Sequence, residues 1–152
     1  MEDRNACLRE AAAEDAELLF VWRNEKTTRA NSFHTTEIPY GDHERWFSEV
    51  LERDDVTILI YEVDGVPAGQ VRLTEEGGCV EISYSVDKKW RGHGHATRML
   101  ALIEDYLKDK QRDTLLVARV RPENVASIRV FEHLKYRMMN LEDEIRFSKQ
   151  IE

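Results

Sequence analysis

Val80-Glu81-Ile82-Ser83-Tyr84-Ser85-Val86-Asp87-Lys88-Lys89-Trp90-Arg91-Gly92-His93-Gly94-His95-Ala96-Thr97 is the stretch on which the reading of this chain turns. Val80, Ile82, Tyr84 and Val86 alternate with Glu81, Ser83 and Ser85, the period of a strand with one apolar and one polar face. Beyond Gly94 the period changes, and Met99, Leu100, Leu102, Ile103, Tyr106 and Leu107 make one side of an amphipathic helix reaching about Lys110. A glycine-rich turn thus joins a strand end to a helix start. The first N–H groups of a helix lack intrahelical partners and its macrodipole is positive there, so an anion such as pyrophosphate is favoured. Gly92 and Gly94 permit backbone angles closed to other residues, and Gly94 and Ala96 let the main chain come close to a bulky ligand. Lys88, Lys89 and Arg91 add local positive charge.

Working outward, Val56 to Val63 is rich in β-branched residues and Asp64-Gly65 follows as a hairpin signal. Gln70 to Thr74 reads as the partner strand and Glu75 to Gly78 as a second turn, which makes an antiparallel meander ending in the quoted strand. Before it come a short strand over about 6–11, a helix over Ala13 to Arg23 and a second helix over about Gly41 to Glu52 with Trp46, Phe47, Val50 and Leu51 inward. Asn24 to Pro39 lacks either period and reads as irregular. After the long helix come a strand over Thr114 to Val120, a helix over Asn124 to Leu134, and closing strands over Arg137 to Met139 and Glu144 to Lys149. Pro39, Pro67 and Pro122 fall in expected loops or turns. This order predicts an α/β sandwich, a mixed but mostly antiparallel central sheet flanked by about four helices. With no repeat, linker or low-complexity tract, one domain over 1–152 is expected.

Composition excludes some functions. The 152 residues carry a net charge of -8 and a pI near 5.2, the wrong balance for a protein that neutralises nucleic-acid phosphates. The opening, MEDRNACLREAAAEDAELL, holds no apolar core of signal-peptide length, and no apolar run is long enough to cross a membrane. A cytoplasmic protein is the expectation. Cys7 and Cys79 lie far apart and read as reduced structural thiols, and with five histidines they show no metal-ligand spacing, so no metal is expected.

The glycine turn has competing explanations. It can be a tight strand-to-helix turn and nothing more. A Walker loop needs Gly-Lys-Ser/Thr, which is absent, and a Rossmann fingerprint needs three glycines early in a βαβ unit. What remains is Arg/Gln-x-x-Gly-x-Gly/Ala, matched by Arg91, Gly94 and Ala96. A second segment, Asn124-Val125-Ala126-Ser127-Ile128-Arg129-Val130-Phe131-Glu132-His133-Leu134-Lys135-Tyr136, looks like Asn-x-x-Ser-x-x-x-Tyr-Glu-x-x-Gly-Phe. Together the two segments resemble the GNAT superfamily of N-acetyltransferases over most of the chain. The resemblance implies that Arg91, Gly92, His93, Gly94, His95, Ala96 and Thr97 receive the pyrophosphate of acetyl-CoA, with Asn124 and Ser127 beside its pantetheine arm. It implies a strand N–H near Ser85 or Val86 to polarise the carbonyl. Phe131 takes a place in the cofactor wall but replaces the family's tyrosine and has no proton for the departing thiolate. Lys135 stands where the family has glycine.

Acetyl transfer to an amine also needs a base and an acceptor site. Glu81, on the polar face of the quoted strand, is the candidate base, its alternative being a solvated strand carboxylate. Trp22, Arg23, Asn24, Arg29, Asn31, Ser32 and Phe33 gather aromatic, cationic and amide groups in the aperiodic segment, where function often resides. Taken with His43-Glu44-Arg45-Trp46-Phe47, they resemble a GNAT branch acetylating amino groups of nucleotide-linked deoxysugars, of the pseudaminic-acid pathway type, in which Arg would meet phosphate and an aromatic ring a base or sugar. For each residue alone, a core Trp22 or a surface Arg23 explains as much. The expected partner is a small-molecule amine; a peptide N-terminus and a non-catalytic acyl-CoA sensor are the other readings. The oligomeric state is open, a homodimer included.

Overall fold

The hairpin at Asp64-Gly65 shows local chemistry setting the sheet. Both residues take positive φ, 52° and 81°, the angles that let a two-residue turn follow the strand twist. The computed structural model describes residues 5–110 and 113–152; Met1–Arg4, which begin the segment read for an apolar run, lie outside them. The turn joins β2 (Val56–Val63) to β3 (Val66–Glu76). Gly77 and Gly78, also at positive φ, then turn the chain into β4 (Cys79–Val86). With β1 (Ala6–Glu10), β5 (Thr114–Val120), β6 (Arg137–Asn140) and β7 (Ile145–Ile151) these make a seven-stranded sheet in the order β1-β2-β3-β4-β5-β7-β6. Every pairing is antiparallel except β4 with β5.

Helices cover both faces, so the central strands bury both sets of side chains. Ile58 and Ile60 of β2 pack with Leu19 and Trp22 of α1 (Ala16–Asn24) and with Phe47 and Val50 of α3 (Tyr40–Leu51). Leu59, Tyr61 and Val63 point the other way, onto Met99, Leu100 and Ile103 of α4 (His95–Asp109) and Phe131 of α5 (Val125–His133). In α3 the buried positions His43, Phe47 and Val50 recur at helical spacing. No helix among the described residues is long and apolar enough to cross a membrane.

The expected α/β sandwich is present, with five α-helices among the described residues where about four were expected. The addition is α2 (Lys26–Ala30), inside the stretch read as irregular. Its five residues carry no apolar period; it forms because the Glu25 carboxylate caps its start, accepting from the N–H groups of Thr27 and Thr28 at 2.9 and 3.2 Å. Strand β3 starts at Val66, before the expected Gln70, and Pro67 lies within it rather than in a loop. A register shift between Tyr61 and Glu62 falls opposite Pro67, the kind of bulge at which a residue without an N–H is tolerated.

Two backbone positions carry measurable consequences. An added Cβ on Gly69 would lie 2.8 Å from the Ser85 carbonyl oxygen and 3.1 Å from Met99 Sδ. Gly69→Ala should therefore cost about 1–3 kcal/mol in denaturant unfolding, the scale of an overpacked core. Lys135 ends α5 at φ 69°, with the N–H of Tyr136 on the Phe131 carbonyl, a Schellman closure that favours glycine. Lys135→Gly is expected to raise the unfolding midpoint, by up to about 1 kcal/mol of stability, since relief of the left-handed strain exceeds the added chain entropy.

Candidate active site

The parallel junction opens the sheet. β4 and β5 pair from Cys79 with Leu115 to Ile82 with Ala118 and no further. β4 continues along β3 to Val86 opposite Gly69, and β5 continues along β7 to Val120 opposite Ile145. Beyond Ile82 the two strands part, leaving Ser83–Val86 as an edge within the sheet. A cavity of about 800 Å³ occupies this gap and extends to the start of α4 on one side and under α1–α3 on the other.

At its α4 end the chain turns as the glycines require. Gly92 and Gly94 adopt φ 80° and 81°, and nothing lies within 4 Å of a Cβ added to either. The first intrahelical bond of α4 runs from the N–H of Arg98 to the Gly94 carbonyl. The preceding N–H groups, of His95, Ala96 and Thr97, have no intrahelical acceptor, and an open cradle of this kind fits a pyrophosphate. Arg91 has other work. Its Nε donates to the Val86 carbonyl at 2.9 Å, and its Nη2 reaches Glu25 at 2.6 Å and Thr28 Oγ1 at 3.2 Å. The guanidinium therefore ties the turn to α2 and to the end of β4 while still bordering the cavity. Burial works against the Glu25 charge, but the Thr27 and Thr28 N–H groups and Arg91 outweigh it and hold its pKa down at about 2.

The β4–α5 wall is built from Asn124, Ser127, Phe131 and Tyr84. Asn124 caps α5, its side-chain oxygen accepting from the Ser127 N–H at 3.2 Å. The hydroxyls of Ser127 and Tyr84 lie 2.6 Å apart. Phe131, one helical turn on, meets the Tyr84 ring edge-on at 6.0 Å between centroids.

On the opposite face of β4 the polar side chains form the floor of the part of the cavity under α1–α3. Glu81 is exposed to the cavity, Ser85 Oγ accepts from Gln70 Nε2 at 3.2 Å, and Arg72 lies on the neighbouring strand. Two guanidiniums converge on one indole: Arg23 lies 4.5 Å from the Trp46 ring centroid and Arg72 5.6 Å, within cation–π range. Neither forms a salt bridge among the described residues. Burial, then Arg72, disfavours the charge on Arg23; burial also disfavours the charge on Arg72, against which Glu81 pulls the other way.

Buried His43 orders this cluster. Its Nε2 donates to the Ala16 carbonyl at 3.0 Å and its Nδ1 accepts from Arg23 Nη1 at 3.3 Å, an assignment that follows because a guanidinium can only donate. Burial holds the His43 pKa below its usual 6.5, with Arg23 acting in the same direction and the Ala16 carbonyl against it.

Of the residues singled out in the sequence, Glu81, Ser85, Val86, Arg91, Gly92, Gly94, His95, Ala96, Thr97, Asn124, Ser127 and Phe131 line this cavity, as do Trp22, Arg23, Asn31, Ser32 and Phe33. Three lie outside its lining. His93 is exposed on the turn. The Asn24 side chain brackets Ile38, donating to its carbonyl at 2.8 Å and accepting from its N–H at 2.9 Å. Arg29 donates to the Asn24 and Thr35 carbonyls. These two brace the 31–38 loop. Trp22 is mainly a core residue, its indole N–H bonded to Asp87 at 2.7 Å. Tyr84, Arg72 and Gln70 were not singled out. The signal for Arg72 and Gln70 was their alternation with Val71 and Leu73, which places them on the face of Glu81 and Ser85. Tyr84 sits at an apolar-phase position and reads as core. Among the described residues no cluster of His, Cys, Asp and Glu could hold a metal.

A family model described as an acetyltransferase (GNAT) domain matches residues 5–137. No curated protein matches the sequence. Among solved structures, a domain from Methanocaldococcus jannaschii superposes with a TM-score of 0.85 at 20% identity, over 97% of this chain and 99% of the other. The Vibrio cholerae spermidine N-acetyltransferase, solved with CoA and spermine, does so with 0.86 at 14%, over 96% and 95%. An aminoglycoside acetyltransferase solved with paromomycin and acetyl-CoA gives 0.84 at 17%, over 96% and 93%. At these identities the likeness is one of fold.

Because His43 is held neutral, its stability contribution is present above pH 6.5 and is lost as pH falls from there toward its lower folded value. His43→Gln should flatten the acid-side decline of Tm between pH 7 and 5 (a window of about that width), measured by calorimetry, while lowering Tm at pH 8 through the lost Arg23 contact.

Proposed function

The chain belongs to the GNAT acetyltransferase family, and from that premise we propose that it moves the acetyl group of acetyl-CoA to the primary amine of an acceptor carrying negative charge, a nucleotide-linked amino-deoxysugar. The observation that carries the acceptor is the pair of half-buried guanidiniums, Arg23 and Arg72, on the Trp46 indole, neither in a salt bridge among the described residues. Two such cations repel a polyamine and receive phosphate, and an adjacent aromatic face suits a base or sugar ring. The overall charge of -8 acts through screened solvent, whereas this field acts at contact range.

Acetyl-CoA supplies an activated acyl group on a thioester. The cradle at Gly92–Thr97 holds its pyrophosphate on backbone N–H groups, and Asn124 and Ser127 border the pantetheine path. The unpaired edge of β4 near Ser85 and Val86 offers backbone N–H groups to the carbonyl. Glu81 takes the proton of the attacking amine, directly or through one water, on the polar face of β4. Holding donor and acceptor in one cavity converts a bimolecular encounter into a local one. Placement in the cytoplasm, as a single domain over residues 1–152, belongs to the same reading.

Purified protein with acetyl-CoA, assayed for thiol release across UDP-linked amino sugars, basic peptides and polyamines, tests it. Release is expected with the amino sugars. Arg23→Ala and Arg72→Ala should each raise the acceptor KM by about 10-fold or more, the worth of a hydrogen bond to a charged group, and Glu81→Gln should lower kcat by about 100-fold. Release only with peptides or polyamines, unaffected by the Arg72 change, would sink the acceptor assignment. Binding of CoA without release from any amine would replace the enzyme by an acyl-CoA sensor.

A further inference from the structure

Acetyl transfer moves one proton. As the C–N bond forms and the C–S bond breaks, the amine nitrogen loses a proton and the sulfur departs as a thiolate that must gain one. Glu81 lies on the polar face of β4, so it serves the nitrogen. The sulfur needs a donor on the other wall, where β4 faces α5.

On that wall the cavity-lining side chains with a hydrogen on oxygen are Tyr84 and Ser127, their hydroxyls 2.6 Å apart. Ser127 is buried and stands in the first turn of α5 above the Asn124 cap, so its position is fixed by the helix. Phe131 lies on the same helical face one turn later and flanks the Tyr84 ring. The phenol is therefore held between a rigid hydroxyl partner and an apolar ring. Tyr84 is half-buried, and a hydrogen bond to a charged acceptor is stronger in partly desolvated surroundings. The wall begins at the point where β4 leaves β5, beside the unpaired edge that faces the thioester. We propose that Tyr84 gives the proton to the departing thiolate, with Ser127 holding the phenol in position. The phenolate so formed recovers its proton from the ammonium-derived proton passed through Glu81 and solvent, which closes the balance. Burial pushes the Tyr84 phenol above its usual range, so it is protonated before each turnover. This inference rests on the acetyl-transfer reading above.

Tyr84→Phe keeps the ring against Phe131 and removes only the oxygen. Two measurements test it, one without turnover. In the first, free CoA is bound and its thiol titrated by carbon NMR of the methylene next to sulfur. A phenol donating to the thiolate favours the charged form, so the bound thiol should titrate at lower pH in wild type than in Tyr84→Phe, with CoA affinity by calorimetry equal within about twofold. In the second, kcat for the best amine of the panel should fall by about 100-fold in Tyr84→Phe and less in Ser127→Ala, which keeps the phenol but frees it. Equal thiol titration in folded wild type and Tyr84→Phe overturns the proposal, as does loss of CoA affinity with kcat unchanged, the mark of a packing role. A shifted titration in a protein that acetylates no amine would support the Tyr84–sulfur contact and overturn the transfer reading alone.

Discussion

The parting of β4 from β5 beyond Ile82 and Ala118 is the constraint on which the rest depends. A sheet that stayed paired there would satisfy its own backbone and leave no interior edge. Opening it exposes N–H and C=O groups that must find partners, and the fold tolerates this because both strands remain anchored on their outer sides, β4 to β3 and β5 to β7. The single parallel junction is the place where such an opening arises. Parallel neighbours are joined by a crossover, here through α4, so no hairpin turn holds β4 and β5 together at the open end. The start of the crossover helix brings its first turn to the mouth of the same gap. Strand edge and helix start are thus adjacent for topological reasons.

How far this was legible follows from which signals are local. The β4 alternation and the glycines at 92 and 94 are written in adjacent residues, and each is found at its expected place. The lining around the gap was legible through those motifs because strand period and helix period fix facing. Arg72 was missed although its phase was visible, since one cation on a strand face says nothing until Arg23 and Trp46 arrive from α1 and α3. Tyr84 was missed for the opposite reason: its phase marks it as core, and only the meeting with Ser127 across 43 residues gives its oxygen a role. Helix α2 has no period in five residues and is produced by the cap at Glu25. Pro67 misled because a bulge in its own strand, where Ala68 is the extra residue opposite the step from Tyr61 to Glu62, accommodates it and is invisible locally.

The local field around Trp46 opposes the global charge, and distance decides between them. A net charge of -8 spread over the surface is screened beyond roughly 8–10 Å. Arg23 and Arg72 sit within a few ångströms of anything stacked on Trp46, partly desolvated, and they destabilise one another when the site holds no anion. Neutral His43 belongs to the same arrangement. As a cation it would add a third like charge beside Arg23; held neutral by burial, it accepts from Arg23 and aims the guanidinium. Packing, through burial of one imidazole, thereby fixes the direction of a charge.

The two ends of the cavity are also joined mechanically. Glu25 caps α2 with both oxygens and takes Arg91 from the glycine turn, while Asn24, one residue earlier, clamps Ile38 at the far end of the 31–38 loop. Two adjacent residues at the end of α1 therefore fix the glycine turn and the 31–38 loop. Arg91 completes the link from the other side by holding the Val86 carbonyl at the end of β4. Its guanidinium can make these three contacts at once because of its planar fork, which a lysine ammonium lacks. The arginine that opens the glycine motif is in this protein a fastener between the turn, the end of β4 and α2.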